Sequence, residues 1–445
     1  MTLANDTAAE LIATTWRDEL VPRITEYIAI PALSPSFDPD WAASGHIDAA
    51  VDLVATWMAE RPLDGLTVEV QHLDGRTPVI VGEVPPFGLA DRDAPTVMLY
   101  GHLDKQPEME GWRPELGPWT PVRDGDRLYG RGGADDGYAA FASLTALEAI
   151  QRAGGSHGRC FVLIEASEES GSPDLPAHVE ALADRLGTVD LVICLDSGCA
   201  TYDTVWLTTS LRGLVDGVLT ATVLTEGVHS GSASGVVPST FRVIRQLLDR
   251  VEDVTTGEVL VEEANVAIPG HRTAEAEAMA AALAGPSGRH DPGFPFADGA
   301  EPVREGAEAL LARTWMPAIS YTGIDGIPST EMAGNVLRPT TAVKLSMRIP
   351  PTADPAKVRK AVEALLTANP PYGVTVTFDR SEAAPGWNAP ALAPWLHAAL
   401  DEASQREFGQ PMQLMGEGGT IPFMGMLGER FPDAQFVITG VLGPE

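Results

Sequence analysis

Short apolar runs recur through the first half of the chain, and several of them end in a charged motif. The runs fall at 68–72, 79–84, 96–100, 160–165 and 190–195, each bounded by turn-forming residues. Runs of that length predict strands buried in a parallel sheet. Around them the apolar positions change to helical spacing. Leu11, Ile12, Trp16, Leu20 and Ile24 predict a helix over 8–30, ending at Ile30-Pro31, and a second follows over 48–60. Further helices are predicted over 138–152 and 177–186. Strands alternating with helices indicate an α/β layer fold.

After Arg212-Gly213 the pattern changes. Strands are predicted over 214–224, 342–348 and 374–379. Helices are predicted over 238–251, opened by Val237-Pro238-Ser239, and over 355–366, opened by Asp354-Pro355. This order suits a small two-layer domain with one sheet face covered. Residues 255–320 are rich in Ala, Gly and Pro with little period, and read as an irregular elaboration of that domain. Alternation resumes with a helix over 392–407, a glycine-rich turn over 416–422 and a short strand over 436–439. The simplest account is a catalytic domain, 1–211 and 385–445, interrupted by an inserted domain, 212–384.

Composition narrows the partners. A chain of 445 residues exceeds a single core, so two or three domains are expected. Its 62 acidic and 30 basic residues give a formal charge of -32, which opposes binding to nucleic acid or anionic membrane. No apolar run is long enough for a spanning helix, and residues 1–20 lack a signal-like pattern. Three cysteines make no disulfide framework. Cys160 and Cys194 fall in predicted strands, as core thiols of a reducing compartment, so a cytoplasmic protein is expected.

The chemistry lies in four motifs: Tyr100-Gly101-His102-Leu103-Asp104, Gly130-Arg131-Gly132-Gly133-Ala134-Asp135-Asp136-Gly137, Glu165-Ala166-Ser167-Glu168-Glu169-Ser170-Gly171, and Asp196-Ser197-Gly198. Three of them follow strand-like runs directly, and ligands of open α/β sheets gather outside the carboxyl ends of strands. His102 and Asp104, one residue apart, share a face in extended backbone. Asp104 is spaced to hold the second ring nitrogen of a metal-ligating histidine. Asp135 sits among glycines, in a loop pliable enough to bridge two ions. Glu168 and Glu169 are adjacent and cannot share one direction, so one can bind metal while the other serves as base. Each motif alone is commonplace; Asp196, for example, could simply start a turn. Their conjunction in one α/β segment points to a metal site of imidazole and carboxylates, suited to Zn²⁺, Mn²⁺ or Co²⁺.

Taken together, these motifs resemble the dinuclear-zinc peptidases and deacylases, a family that includes carnosine dipeptidases, glutamate carboxypeptidase, acetylornithine deacetylase and succinyl-diaminopimelate desuccinylase. The resemblance implies a zinc-exopeptidase-like catalytic domain with an inserted α+β two-layer lid that forms a homodimer. It implies two divalent ions, zinc first, with manganese or cobalt as alternatives. His102 and Asp196 would hold one ion, Asp135 would bridge, Glu169 would ligate the second, and Glu168 would be the general base. The Asp135–Asp136 peptide would be cis. His229, in Val228-His229-Ser230-Gly231, would stabilise the oxyanion in the neighbouring subunit. Arg348, with the glycine-rich turn holding Gly418, Gly419 and Thr420, would grip the substrate carboxylate, and Asn335 would add a polar lid contact.

One departure stands out. The family places a last ligand histidine shortly after a motif like Gly440-Val441-Leu442-Gly443-Pro444, and here Glu445 ends the sequence. None of the nine histidines, including His271, His290 and His397, stands in that context. The expectation is a truncated chain whose second ion is weakly held. The leading functional reading is a metal-dependent dipeptidase or short-peptide exopeptidase, on the carnosine-dipeptidase side of the family. An N-acyl-amino-acid deacylase is the second reading, and an inactive binding protein with an incomplete metal site is the third.

Overall fold

The computed structural model describes residues 4–90, 94–284 and 294–441. The chain divides into two compact units. The first comprises residues 1–208, 390–413 and 426–445, and the second 209–389 and 414–425.

The first unit is built on a six-stranded sheet. Its strands include β1 (Thr67–Gln71), β2 (Val79–Val84), β3 (Thr96–His102), β4 (Arg159–Glu165) and β5 (Leu191–Cys194), with Gln435–Ile438 at one edge. The spatial order is β1-β2-β4-β3-β5 followed by Gln435–Ile438. The sequence pattern predicts a parallel sheet, and the structure corrects this to a mixed one. β3 runs parallel to β4 and β5, whereas β1 and β2 are antiparallel to each other and β2 is antiparallel to β4. The connection over 72–78 is too short for a parallel crossover, so β1 and β2 pair antiparallel. β2, β3 and β4 are almost continuously buried, as strands covered on both faces must be.

The N-terminal helical stretch also differs from the single predicted helix. It comprises α1 (Asn5–Thr15) and α2 (Val21–Ile28), joined by a π turn over Trp16–Leu20. A π turn adds a residue and rotates the apolar face. Ile12 and Trp16 therefore stay exposed while Leu20 and Ile24 are buried. α2 joins α3 (His46–Ala59) and α4 (Ala139–Arg152) in the core, through Tyr27, Ile28, Val54, Trp57, Phe141 and Leu144.

The second unit holds an antiparallel sheet of β6 (Gly213–Thr222), β7 (Ala318–Asp325), β8 (Thr340–Ile349) and β9 (Thr375–Asp379), in the order β7-β8-β6-β9. β6 and β8 alternate buried positions with half-buried or, at Lys344, exposed ones, the signature of a sheet with one covered face. α5 (Thr240–Leu248) and α6 (Pro355–Thr367) cover it, packing Val243, Leu247, Val358 and Val362 against Val215, Leu219, Leu345 and Phe378. The Asp354 carboxylate caps α6 by accepting the amides of Ala356 and Lys357 at 3.0 and 3.1 Å. Gly217 is obligatory, because a Cβ there would lie 2.3 Å from the Phe378 ring.

The described part of the 255–320 stretch, 255–284 and 294–320, is more ordered than its composition suggests. It contains helices Gly270–Ala282 and Gly306–Thr314 and the start of β7. Alanine supplies their helix propensity without the large apolar side chains that make a period visible. His290 lies outside the described residues, as do Leu442, Gly443 and Pro444 of the C-terminal motif and Glu445 after it. No helix among the described residues is long and apolar enough to cross a membrane.

Candidate metal centre

Neighbouring parallel strands bring the acidic motifs of the first unit together. β3 lies between β4 and β5, with His102 opposite Glu165 and Tyr100 opposite Cys194. The ends carrying His102, the Glu165–Glu169 segment and Asp196 therefore emerge side by side. The loop bearing Asp135 and Asp136 precedes α4 and closes on β3. Gly101 permits that approach, since a Cβ there would lie 2.5 Å from Ala139 Cβ and 2.7 Å from an Asp136 oxygen. The Asp135–Asp136 peptide is cis.

His102 is the hub. Its Nε2 lies 3.2 Å from Asp135, 3.5 Å from Asp196 and 4.0 Å from Glu168. Its Nδ1 lies 3.0 Å from the Asp104 carbonyl and 3.5 Å from the Asp104 carboxylate. Asp104 carries a further load, because its carboxylate accepts the amides of Glu168 and Glu169 at 3.0 and 2.9 Å. It thereby fixes the turn that presents both glutamates. The Gln106 amide donates to Glu169.

Two triads of possible ligands share this histidine. One is His102, Asp136 and Asp196, the other His102, Asp135 and Glu169, and within each the ligand atoms lie within 4.8 Å of one another. Asp136 was not assigned as a ligand from the sequence, although it adjoins Asp135. Its Oδ2 accepts the His102 amide at 3.2 Å, and its buried Oδ1 has no partner. Glu169 Oε1 is likewise buried without one.

This arrangement fits divalent cations. Asp135, Asp136, Glu168, Glu169 and Asp196 crowd one imidazole, and among the described residues none pairs with a lysine or arginine. Buried carboxylates at this density repel one another unless protons or cations intervene. Without metal, protons do so. Glu168 and Asp136 are pushed well above the carboxylate range, first by burial and then by Asp196. His102 is held well above its ordinary value: burial opposes its charge, but Asp196, Asp104 and Asp135 outweigh it. A carbonyl only accepts, so Nδ1 carries a hydrogen toward Asp104 and leaves Nε2 for a proton or a metal ion.

Glu165 lies behind the cluster and was not singled out from the sequence. It accepts hydroxyls from Tyr100, Ser172 and Ser167 at 2.6, 2.8 and 3.2 Å. Glu165 and Glu169 are both pushed up to about 7, by burial first and then by Asp104 and Asp135 respectively. Carboxyls with raised folded pKa values bind extra protons when folded, so their stabilising contribution is full at low pH. It is lost as pH rises from their ordinary 4.5 toward about 7. Between about pH 5 and 7.5 the melting temperature of chelated protein should therefore fall, and a saturating divalent ion should abolish that fall. Calorimetry of both forms checks this, and a chelated protein whose melting temperature climbs over that window contradicts it.

In the second unit, the Arg348 guanidinium donates to the Thr420 hydroxyl at 2.8 Å, which in turn donates to the Arg212 carbonyl at 2.6 Å. Arg212, not picked out from the sequence as a site residue, lies beneath the glycine-rich turn. A Cβ on Gly418 would come 3.2 Å from its guanidinium. Burial, then the charges of Arg348 and Arg313, pull Arg212 down to about 10. Gly419 has open space where a Cβ would stand. His229 is exposed and lies opposite Val336 in a two-residue ladder, and the Asn335 carbonyl accepts the next amide, of Ser230, at 2.8 Å.

Comparison with known proteins places this arrangement. The chain is 28% identical to a cysteinylglycine-S-conjugate dipeptidase of Corynebacterium striatum, over 99% of this chain and 93% of that protein. It is 26% identical to a β-Ala-His dipeptidase of Mus musculus, over 91% and 83% of the two chains. The fold is similar to that of the dipeptidase Dug1p from Saccharomyces cerevisiae, with a TM-score of 0.73 at 21% identity, covering 100% and 92% of the chains. Residues 98–445 match the model of peptidase family M20/M25/M40, a span that takes in all four acidic motifs, and the chain belongs to that family.

Proposed function

We propose that this protein is a metal-dependent dipeptidase in which Glu168 is the general base. The observation that carries the reading is the pair of ligand triads sharing His102, with Glu168 beside them and in neither. The dipeptidase relatives, matched along nearly the whole chain, support the substrate class.

Imidazole and carboxylate ligands favour zinc, with manganese or cobalt as alternatives. Two such ions would lower the pKa of a water and polarise the scissile carbonyl. The chain's own residues handle the proton and the orientation. Asp104 holds the two glutamate amides, and so keeps Glu168 at the edge of the cluster. The high proton affinity of Glu168 suits it to take a proton from water and return it to the departing amine. His102 keeps its ring fixed through Nδ1.

The second unit is assigned recognition within the same proposal. Arg348, with Thr420, Gly418 and Gly419, is read as the group that binds the substrate carboxylate, a task suited to a planar guanidinium. His229 is read as an oxyanion donor supplied across a homodimer formed by the second unit, acting as a lid, and Asn335 as a polar contact near it. Buried Cys160 and Cys194 thiols support a cytoplasmic setting.

The test is a panel of cysteinylglycine, β-alanyl-histidine, other dipeptides and N-acetyl amino acids, with protein reconstituted in Zn²⁺, Mn²⁺ or Co²⁺. Hydrolysis of free dipeptides is expected. Turnover confined to N-acetyl amino acids would favour the deacylase reading, and no turnover with any metal would overturn both.

A further inference from the structure

Lys105 follows Asp104 directly, yet plays no part in the chemistry above. Its side chain is fully buried, and among the described residues it has no carboxylate partner. The ammonium donates to the carbonyls of Tyr27 at 2.8 Å, Ile30 at 2.7 Å and Ile28 at 3.4 Å. It also lies 3.9 Å from the centre of the Tyr27 ring. These carbonyls lie where α2 ends; those of Tyr27 and Ile30 also accept the amides of Ile30 and Ala32, at 3.0 and 2.9 Å, and a cation there meets the negative end of the helix. Burying a lone ammonium is costly, so a helix that needed only a stop would end more cheaply in glycine.

The other side of Lys105 supplies a reason for that cost. A Cβ on Gly132 would lie 2.6 Å from Lys105 Cε and 2.8 Å from Cδ, so the loop bearing Asp135 rests on the lysine stem. Two more glycines of that loop press on the same helix end. A Cβ on Gly130 would come within 2.2 Å of Ile28, and one on Gly137 within 2.1 Å of the Tyr27 ring. The Tyr27 hydroxyl in turn donates to the Leu103 carbonyl at 2.8 Å, between His102 and Asp104. One helix end thus touches two of the four chain segments that supply ligands to the triads, the one bearing His102 and the one bearing Asp135 and Asp136. That helix precedes the span matched by the family model.

We propose that Lys105 is a positioning residue for the metal centre: by tying the end of α2 to the loop through Gly132, it sets where Asp135 and Asp136 stand relative to His102. The proposal rests on the metal-site reading above and adds a support reaching it from outside the ligand strands.

Lys105→Met keeps the length of the stem and removes the ammonium. Co²⁺ titration, followed by calorimetry and by the visible d–d bands, reads the centre without relying on turnover. The variant should remain folded by circular dichroism. It should bind at least one Co²⁺ about 10–100-fold more weakly with altered bands, and kcat should fall while KM stays nearly constant. Val54→Ala, a cavity variant in the same core, is the control: it should lower the melting temperature with Co²⁺ binding unchanged. If Lys105→Met does not fold, Lys105→Gln decides, since it also removes the ammonium and leaves the loop backbone untouched. Wild-type Co²⁺ stoichiometry, affinity and spectrum in the folded variant would overturn the positioning role and leave the metal centre standing. A wild-type protein that takes up no Co²⁺ would overturn the metal reading and this inference with it.

Discussion

Glu168→Gln should lower kcat by about 10²–10⁴-fold while leaving metal content intact. Glu168 and Glu169 are consecutive in a single turn, Glu168–Ser170, and their amides are held by the two oxygens of one carboxylate, Asp104. Only Glu169 enters a ligand triad. Glu168 lies 4.0 Å from His102 Nε2, near enough to share a ligand's pocket and too far for a hydrogen bond. Glutamine keeps the shape of the side chain and its hydrogen-bonding capacity but cannot shuttle a proton at neutral pH. The companion change, Glu169→Gln, should act chiefly on metal uptake. Metal analysis beside steady-state kinetics separates the two, and near-normal turnover in Glu168→Gln would sink the assignment of the base.

The sequence was most legible where local pattern and tertiary demand agree. β2, β3 and β4 are covered on both faces, so their runs are mainly apolar, with Glu83 the one charged residue inside β2, and their limits fall within two residues of those expected. β6 and β8 were legible as core strands of the second unit for a related reason, with one face buried along their whole length. Strand direction was less accessible, because periodicity carries no sign; only the short 72–78 connection hinted that β1 and β2 are antiparallel. The π turn at Trp16–Leu20 was invisible for another reason. It leaves a helical pattern on both sides and changes only the face that is buried.

At the metal centre, His102, Asp135, Glu169 and Asp196 could be proposed because each stands in a motif with turn residues beside it. Asp136, Glu165 and Lys105 could not be given roles. What distinguishes them is distance across the fold: an orphaned oxygen beside His102, three hydroxyls converging on a carboxylate, and a lysine beneath a glycine. Their sequence neighbours do not encode those contacts. A glycine's reason is equally remote, since Gly101 is fixed by Asp136 and Ala139 more than thirty residues away.

His102→Ala should abolish turnover and remove both ions, a larger effect than the roughly 10–100-fold loss of metal affinity typical of outer-shell changes. His102 alone belongs to both triads, and without it each is reduced to two carboxylates. Too few protein ligands then remain for a closed tetrahedral site. The metal-free protein should be affected as well. Among the described residues no lysine or arginine pairs with the clustered carboxylates, so a proton on the imidazole offsets repulsion that burial would otherwise magnify. Near neutral pH the chelated variant should therefore melt below the chelated wild type. Added Zn²⁺ should raise the melting temperature of the wild type and leave that of the variant unchanged. If the variant stays folded and still binds two ions with measurable hydrolysis, the centre must be organised around other residues. If it loses the ions yet keeps wild-type stability when chelated, the carboxylates repel one another less than their burial implies, and protons rather than His102 hold the empty cluster together.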